Sequence, residues 1–537
     1  MTTLPPHFLP AINSRFPHLS DYDPVAHQFH PAYLNPISYT ITIEDFPGAH
    51  LSTKGNSPDD GQRPGSHPVS SPDIYTLDCP ADTTGWRFWI VGRSDHPGPG
   101  GTLATVSVNK NAENSLTTFT RPFPEILRVG AWRHEFTVPG PGTYQVTTER
   151  LRGTATAETK SQTLVIKDYL VVSIGDSAAS GEGNPDAPGK PADFGDHSWW
   201  QYVVPGYNLY VLTEEAVHWV NNTIATNEAQ LARRGNMTIN MDPDPVWFDP
   251  QSHRSLWSGH AVAARLLEDL TSGTVVTFLP FAHSGADIGS GLIGPGPDSG
   301  LPVDSLGQLD QVRATVGSRR IDALLVYIGI NDIGVADTLT NLVVGDAPIL
   351  GQDDPTAARE QAQAVADARL RDLPGKLERL AAALSPVNVA KVYITEYPTG
   401  LFDDIHGNPA HGCELFNGPK LDLSREDAVL VQSLASNLNQ ILKTAAHDHG
   451  WVYVTGIDQQ LRGCGYCTPV DRRAFVQCGE SLLLQGDTEG TIHPNARGHA
   501  IIGQAVAASV RENSFLAIPA IHPDPVAPPG QFRDAAT

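Results

Sequence analysis

The chain has 537 residues, 40% of them hydrophobic, and a formal net charge of −23. That length exceeds one ordinary domain and implies two or three. The acidity argues against nucleic acid and anionic membrane as partners, and no apolar run approaches the roughly 18–20 residues of a membrane span.

The N-terminus, MTTLPPHFLPAINSRF, lacks the charged and apolar regions of a signal peptide. A secreted protein in mature form is favoured over a cytoplasmic one. Residues 1–35, rich in Pro and His, read as an extended arm. From 36 to 166 the pattern changes to short strand-like runs: Tyr39–Ile43, Trp86–Val91, Thr105–Val108, Trp132–Val138 and Tyr144–Thr148. Turn residues separate them, several alternate polar with apolar, and no helical period intervenes. This is the pattern of an all-β sandwich, and the PGTYxV stretch at 141–146 resembles immunoglobulin-like modules.

From 167 to 515 strands alternate with helices. Strands are expected at 169–174, 275–281, 324–330, 390–396 and 451–456. Helices are expected at 258–270, 355–372, 375–384, 424–447 and 495–512. Ser424-Arg-Glu-Asp427 is a capping-box variant opening the fourth helix, and Pro374 should break the second from the third. Runs such as LLVYIGI suit parallel strands buried on both faces. The expected fold is a doubly wound α/β domain with its chemistry at the carboxyl ends of the strands. A long irregular insertion, about 185–250, carries Trp199, Trp200, Trp219 and Trp247, read mainly as core. The tail, 516–537, is Pro-rich and expected to be disordered.

Of five cysteines, Cys464, Cys467 and Cys478 cluster while Cys79 and Cys413 stand alone. The C-x-x-C at 464–467 has no second pair or His pair to complete a zinc site, so one or two structural disulfides are expected ahead of free thiols, and metal last. An odd count leaves at least one cysteine without an intrachain partner.

Four stretches sit where strands end or a helix begins. SIGDSAASGEG (173–183) places Ser177 in a small-residue turn after the first parallel strand. FAHSGAD (281–287) contains Gly285, GIND (329–332) contains Asn331, and TIHPN (491–495) contains His493. A serine becomes a nucleophile only with a base to take its proton and donors to hold the oxyanion. A glycine N–H, an amide side chain and an imidazole are the residue types for those tasks.

The order GDS, SGA, GxND and HPN resembles that of the GDSL-type or SGNH hydrolases, over roughly 167–515. SGADIGSGLIGP and IDALLVYIGINDIG are especially like bacterial members of the GDSAxSGEG subtype. The resemblance implies a flavodoxin-like three-layer α/β/α domain and a serine esterase or lipase without metal or cofactor. Ser177 would attack the acyl carbon. The Ser177 and Gly285 N–H groups and the Asn331 amide would form the oxyanion hole, and His493 would be the base. The family usually has Asp three residues before the His; here that residue is Gly490. Three candidates can orient the ring: Asp487, Glu489, or a main-chain carbonyl near Gly490, which would make a Ser-His dyad. Asp176, His283 and His499 are read as structural, as is His253-Arg254-Ser255. The substrate is a carboxylic ester, of a small molecule, lipid or glycan. Lipase or phospholipase competes with carbohydrate acyl esterase, and a binding module with an inactive hydrolase domain is the reading from another class. Oligomeric state is not legible.

Overall fold

In the computed structural model the described residues are 155–189, 244–269, 274–296, 306–335, 338–339, 355–410, 413–414 and 422–513, together with 11–12, 17, 21–23, 28–30, 39–44, 85–97, 103–113, 133–138 and 142–152. The expectations for the tail, for most of the 185–250 insertion with Trp199, Trp200 and Trp219, and for Cys79 concern residues outside these.

The first strands are antiparallel. β1 (Tyr39–Glu44) pairs with β4 (Arg133–Val138) and with Ala11–Ile12. β2 (Gly85–Pro97) pairs with β3 (Leu103–Glu113) and β5 (Gly142–Arg152). β4 and β5, consecutive in the chain, therefore lie in two different sheets. These ladders fall on the five expected strand segments.

β6 (Ala155–Gly175) runs 21 residues and crosses the expected boundary at 166/167 without a break. Its first half pairs antiparallel with β5. Its second half pairs parallel with β7 (Thr274–Pro280) and β8 (Ala323–Tyr327). The sequence explains the change. Val165 and Lys167 are exposed while Ile166 between them is buried, as in a half-buried strand; from Leu170 to Gly175 every residue is buried. β9 (Val392–Thr395) and β10 (Val452–Val454) complete the parallel part. Its order is β7-β6-β8-β9-β10. This is the flavodoxin-like 2-1-3-4-5 order, whose switch point falls between β6 and β8.

Both faces of these strands are buried, so the sheet is covered on both sides. α2 (Gly259–Asp269) packs on α8 (Ala496–Asn513), and α4 (Pro355–Leu384) packs on α5 (Arg425–His449). Pro374 does not divide α4, contrary to expectation. Ala362, Ala366, Leu370, Leu373, Leu377, Leu380 and Leu384 form one buried stripe passing through it. A helix-interior proline costs ~3 kcal/mol. Each buried leucine recovers roughly 1.5–3 kcal/mol, so the stripe outweighs the break.

The arm also departs from its reading. Tyr22–Asp23 pairs with Gln28–Phe29 in a small antiparallel ladder, and Tyr22 and Phe29 are buried. The two rings stand 5.1 Å apart; Tyr22 lies 5.0 Å from Phe248 and Phe29 lies 5.5 Å from Phe281. Isolated aromatics in a Pro-rich context give no periodicity to read, and the partners that bury them are more than two hundred residues away in sequence. Cys467 is disulfide-bonded whereas Cys464 is a free thiol, so the C-x-x-C pair is not itself bridged.

Candidate active site

β6 ends at Gly175, whose φ of +144° and close backbone neighbour admit no side chain: a Cβ there would lie 2.0 Å from the Tyr327 carbonyl oxygen. The Gln308 amide brackets this residue. Its Oε1 accepts from Gly175 N and its Nε2 donates to Gly175 O, both at 2.8 Å. Asp176 then caps the short helix α1 (Ser177–Ser180), accepting from Ala178 N at 3.0 Å, and also accepts from the Tyr397 hydroxyl. Burial raises the Asp176 carboxyl to about 7 against the hydrogen bonds that favour its anion. Asp176 is thus a capping residue, as expected.

Ser177, in the first turn of α1, is buried but lines a cavity of about 730 Å³. Its Oγ is 2.7 Å from His493 Nε2. His493 Nδ1 is 3.1 Å from the carbonyl oxygen of Thr491. A carbonyl only accepts, so Nδ1 carries the proton and Nε2 is left to accept from the serine. Burial holds the ring below the usual histidine range, opposed by the charge of Glu182 and by main-chain carbonyls. The imidazole is therefore held toward its neutral form, the one that can accept a proton.

The structure does not bring Asp487 to this imidazole. Asp487 Oδ1 accepts from Gln485 Nε2 at 2.6 Å and from Glu489 N at 2.8 Å. Burial and the neighbouring Glu182 charge raise its carboxyl to about 7. The Glu489 carboxylate lies 3.5 Å from His253, and the Glu489 main chain, like that of Thr491, favours the charged imidazole. The local turn accounts for this. Gly490 supplies no carboxylate three residues before the histidine. Ile492, at φ +65°, reverses the chain and turns the Thr491 carbonyl toward Nδ1. The acceptor placed against Nδ1 is thus a main-chain carbonyl, that of Thr491.

Gly285 and Asn331 face the same cavity. Gly285 is glycine for its backbone: φ is +78°, and a Cβ would meet nothing within 4 Å. Asn331 follows β8, and its Nδ2 donates to Ala286 O at 2.9 Å, leaving its second amide hydrogen for another acceptor. Among the described residues, the Ser177 and Gly285 N–H groups have no hydrogen-bond partner. Two partnerless main-chain donors and one amide hydrogen thus border the cavity that Ser177 enters. Asp332, salt-bridged to Lys376 at 2.7 Å, accepts from Ile288 N at 3.1 Å and ties the Asn331 and Gly285 loops together.

Around this centre, His253 also lines the cavity and Arg254 is buried. Arg254 donates to Ala282 O (2.9 Å), Phe281 O (3.3 Å) and the Tyr22 hydroxyl (3.0 Å), and so holds the start of the Gly285 loop. His283 lines the cavity, with Nδ1 donating to Ser284 O at 2.6 Å. His499 is structural: Nδ1 accepts from Gly259 N, and burial lowers it to about 4. Among the described residues Glu182, His253 and Glu489 bring ligand atoms within 4.8 Å of one another, the spacing a metal ion would need. Glu182 and His253 already satisfy each other at 2.8 Å. Glu182, Gln308 and Tyr397 were missed in the sequence. The acid of the GEG stretch was the one available signal, for Glu182.

No protein-family model matches the sequence, and no curated protein matches it. Solved structures do. An extracellular lipase from Streptomyces rimosus is similar at 19% identity, covering 64% of this chain and 99% of its own, with a TM-score of 0.38. A phospholipase A1 from Streptomyces albidoflavus is similar at 16% identity, covering 64% and 98%, with a TM-score of 0.36. A carbohydrate esterase is similar at 12% identity, covering 95% and 98%, with a TM-score of 0.27. With TM-scores this low, these likenesses assign neither fold nor activity to this chain.

Proposed function

We propose that the protein is a serine ester hydrolase of the SGNH type, working by a Ser177–His493 dyad. The observation that carries this is the 2.7 Å contact from Ser177 Oγ to His493 Nε2, beside three donors facing one cavity. As Ser177 Oγ bonds the acyl carbon, its proton passes to Nε2 and the carbonyl electron pair moves to oxygen. The Ser177 and Gly285 N–H groups and the Asn331 amide hold that oxyanion. Collapse breaks the bond to the alkoxy oxygen, which leaves with the proton from Nε2. Water, deprotonated by the same imidazole, attacks the acyl-enzyme; collapse of that second adduct releases the carboxylic acid and returns the proton to Ser177. The Thr491 carbonyl fixes the tautomer throughout.

The cavity lining includes Ile330, Val335, Leu401, Val431 and Ala435. This favours a hydrocarbon acyl chain over acetyl, and hence the lipase or phospholipase reading over a carbohydrate acetyl esterase. The test is turnover of a chain-length series of nitrophenyl esters by wild type and Ser177→Ala. Hydrolysis that rises beyond acetyl and vanishes in the variant is expected. A maximum at acetyl would reverse the acyl assignment, and full activity in the variant would end the serine mechanism.

A further inference from the structure

His493 Nδ1 meets the Thr491 carbonyl, and a buried carboxylate is built into the turn that follows Ser177. Glu182 is completely buried. Its N–H donates to the carbonyl of Ser177 at 3.1 Å, and its carbonyl accepts from His499 Nε2 at 3.3 Å. The next residue, Gly183, passes so close to the base that a Cβ there would lie 3.2 Å from His493 Cβ and 2.9 Å from Pro494 O. The Glu182 carboxylate makes no hydrogen bond to the Ser177 or His493 side chain. It accepts instead from His253 Nδ1 at 2.8 Å and Gln485 Nε2 at 2.6 Å. His253 is stacked on Trp247, centroids 4.7 Å apart and planes 8° from parallel, and is held at φ +45°. Left-handed backbone at a non-glycine residue is strain that surrounding contacts must hold in place.

We propose that Glu182, clamped by His253, is a positioning residue for the dyad: its buried carboxylate acts through space on His493, favouring the imidazolium that forms as Ser177 loses its proton. This rests on the reading of His493 as base. A buried ion feels little solvent screening, so it can act without contact. The groups facing Glu182 are His253, Gln485, Asp487, Glu489, His493 and His499. Burial alone would raise Glu182, but the His253 ring overrides it and holds the carboxyl at about 2. Burial would lower His253, but Glu182, then Asp487 and Glu489, raise it to about 10. Both partners are therefore charged at neutral pH.

The test is the pH profile of kcat/KM on a nitrophenyl ester for wild type, Glu182→Gln and Glu182→Asp. The glutamine variant should lose on the order of tenfold or more, and its acidic limb should move to lower pH because His493 has lost a neighbouring negative charge. The aspartate variant should keep the limb near the wild-type position. An unmoved limb in a folded Glu182→Gln protein overturns the proposal. Should that variant not fold, nitrogen-15 histidine spectra of the wild type decide the matter. His253 with both ring nitrogens protonated at pH 7 is expected, and a neutral His253 overturns the proposal. Ser177→Ala in the same assay separates the two readings: if it still turns over, the dyad itself fails, whatever Glu182 does.

Discussion

At the scale of single residues, the site rests on who accepts and who donates. Replacing Asn331 with Ala removes one of the three proposed oxyanion donors and should lower kcat by about 10²–10³, read in steady-state kinetics on a nitrophenyl ester. Asp487→Ala should leave turnover near wild type, because the Thr491 carbonyl and not this carboxylate meets Nδ1. A loss as deep as that of His493→Ala would return Asp487 to the reaction. Burial keeps His493 below the usual histidine range, so it is neutral above that lowered value. The activity of the wild type should therefore rise with pH through a midpoint below that of free histidine and stay level at neutrality. Ser177, Gly285, Asn331 and His493, which line one cavity, stand out in the sequence because each lies beside a strand end or helix start. Glu182, Gln308 and Tyr397 do not. Their partners lie 71 residues away (Glu182 to His253), 133 away (Gln308 to Gly175) and 221 away (Tyr397 to Asp176). No local pattern encodes such pairings. The third member was left open among three groups, since only the fold of the 487–493 turn decides which acceptor reaches the ring.

At the scale of elements, periodicity located the parallel strands and the helices that cover them. It failed where packing outweighs a local rule, as at Pro374 within α4. It also suggested a boundary at 166/167 where a single strand continues, because a change from one-sided to two-sided burial alters residue pattern without interrupting the backbone. The start of α5 shows a local rule that does hold. Ser424 Oγ accepts from Asp427 N at 3.1 Å, Asp427 accepts from Ser424 N at 3.2 Å, and Arg359 Nε donates to Asp427 Oδ1 at 2.6 Å. Ser424→Ala should cost about 1 kcal/mol of stability, measured by urea denaturation, with the chemistry untouched.

At the scale of the whole molecule, the doubly wound sheet carries two halves of the site to one switch point. β6 delivers Ser177, and the neighbouring β8 delivers Asn331. Tyr22 bonds both Asp249 and Arg254, and Arg254 in turn holds the carbonyls of Phe281 and Ala282 ahead of Gly285. Buried charge also sets a pH window for the folded state. Glu182 is lowered from 4.5 to about 2, so its contribution is present above 4.5 and lost as pH falls toward 2. His253 is raised from 6.5 to about 10, so its contribution is full below 6.5 and lost as pH rises toward 10. Tm should fall on both sides of that interval, and the alkaline fall should shrink in Glu182→Gln. A wild-type Tm that is flat from 6.5 to 10 would contradict the ion pair.

The central claim is that Ser177 is a nucleophile activated by His493. It is tested most directly by reacting the full chain with a fluorophosphonate and locating the adduct by peptide mass spectrometry. The account predicts modification at Ser177 alone, lost in Ser177→Ala and strongly slowed in His493→Ala. An adduct on another serine, or undiminished labelling in His493→Ala, would contradict it.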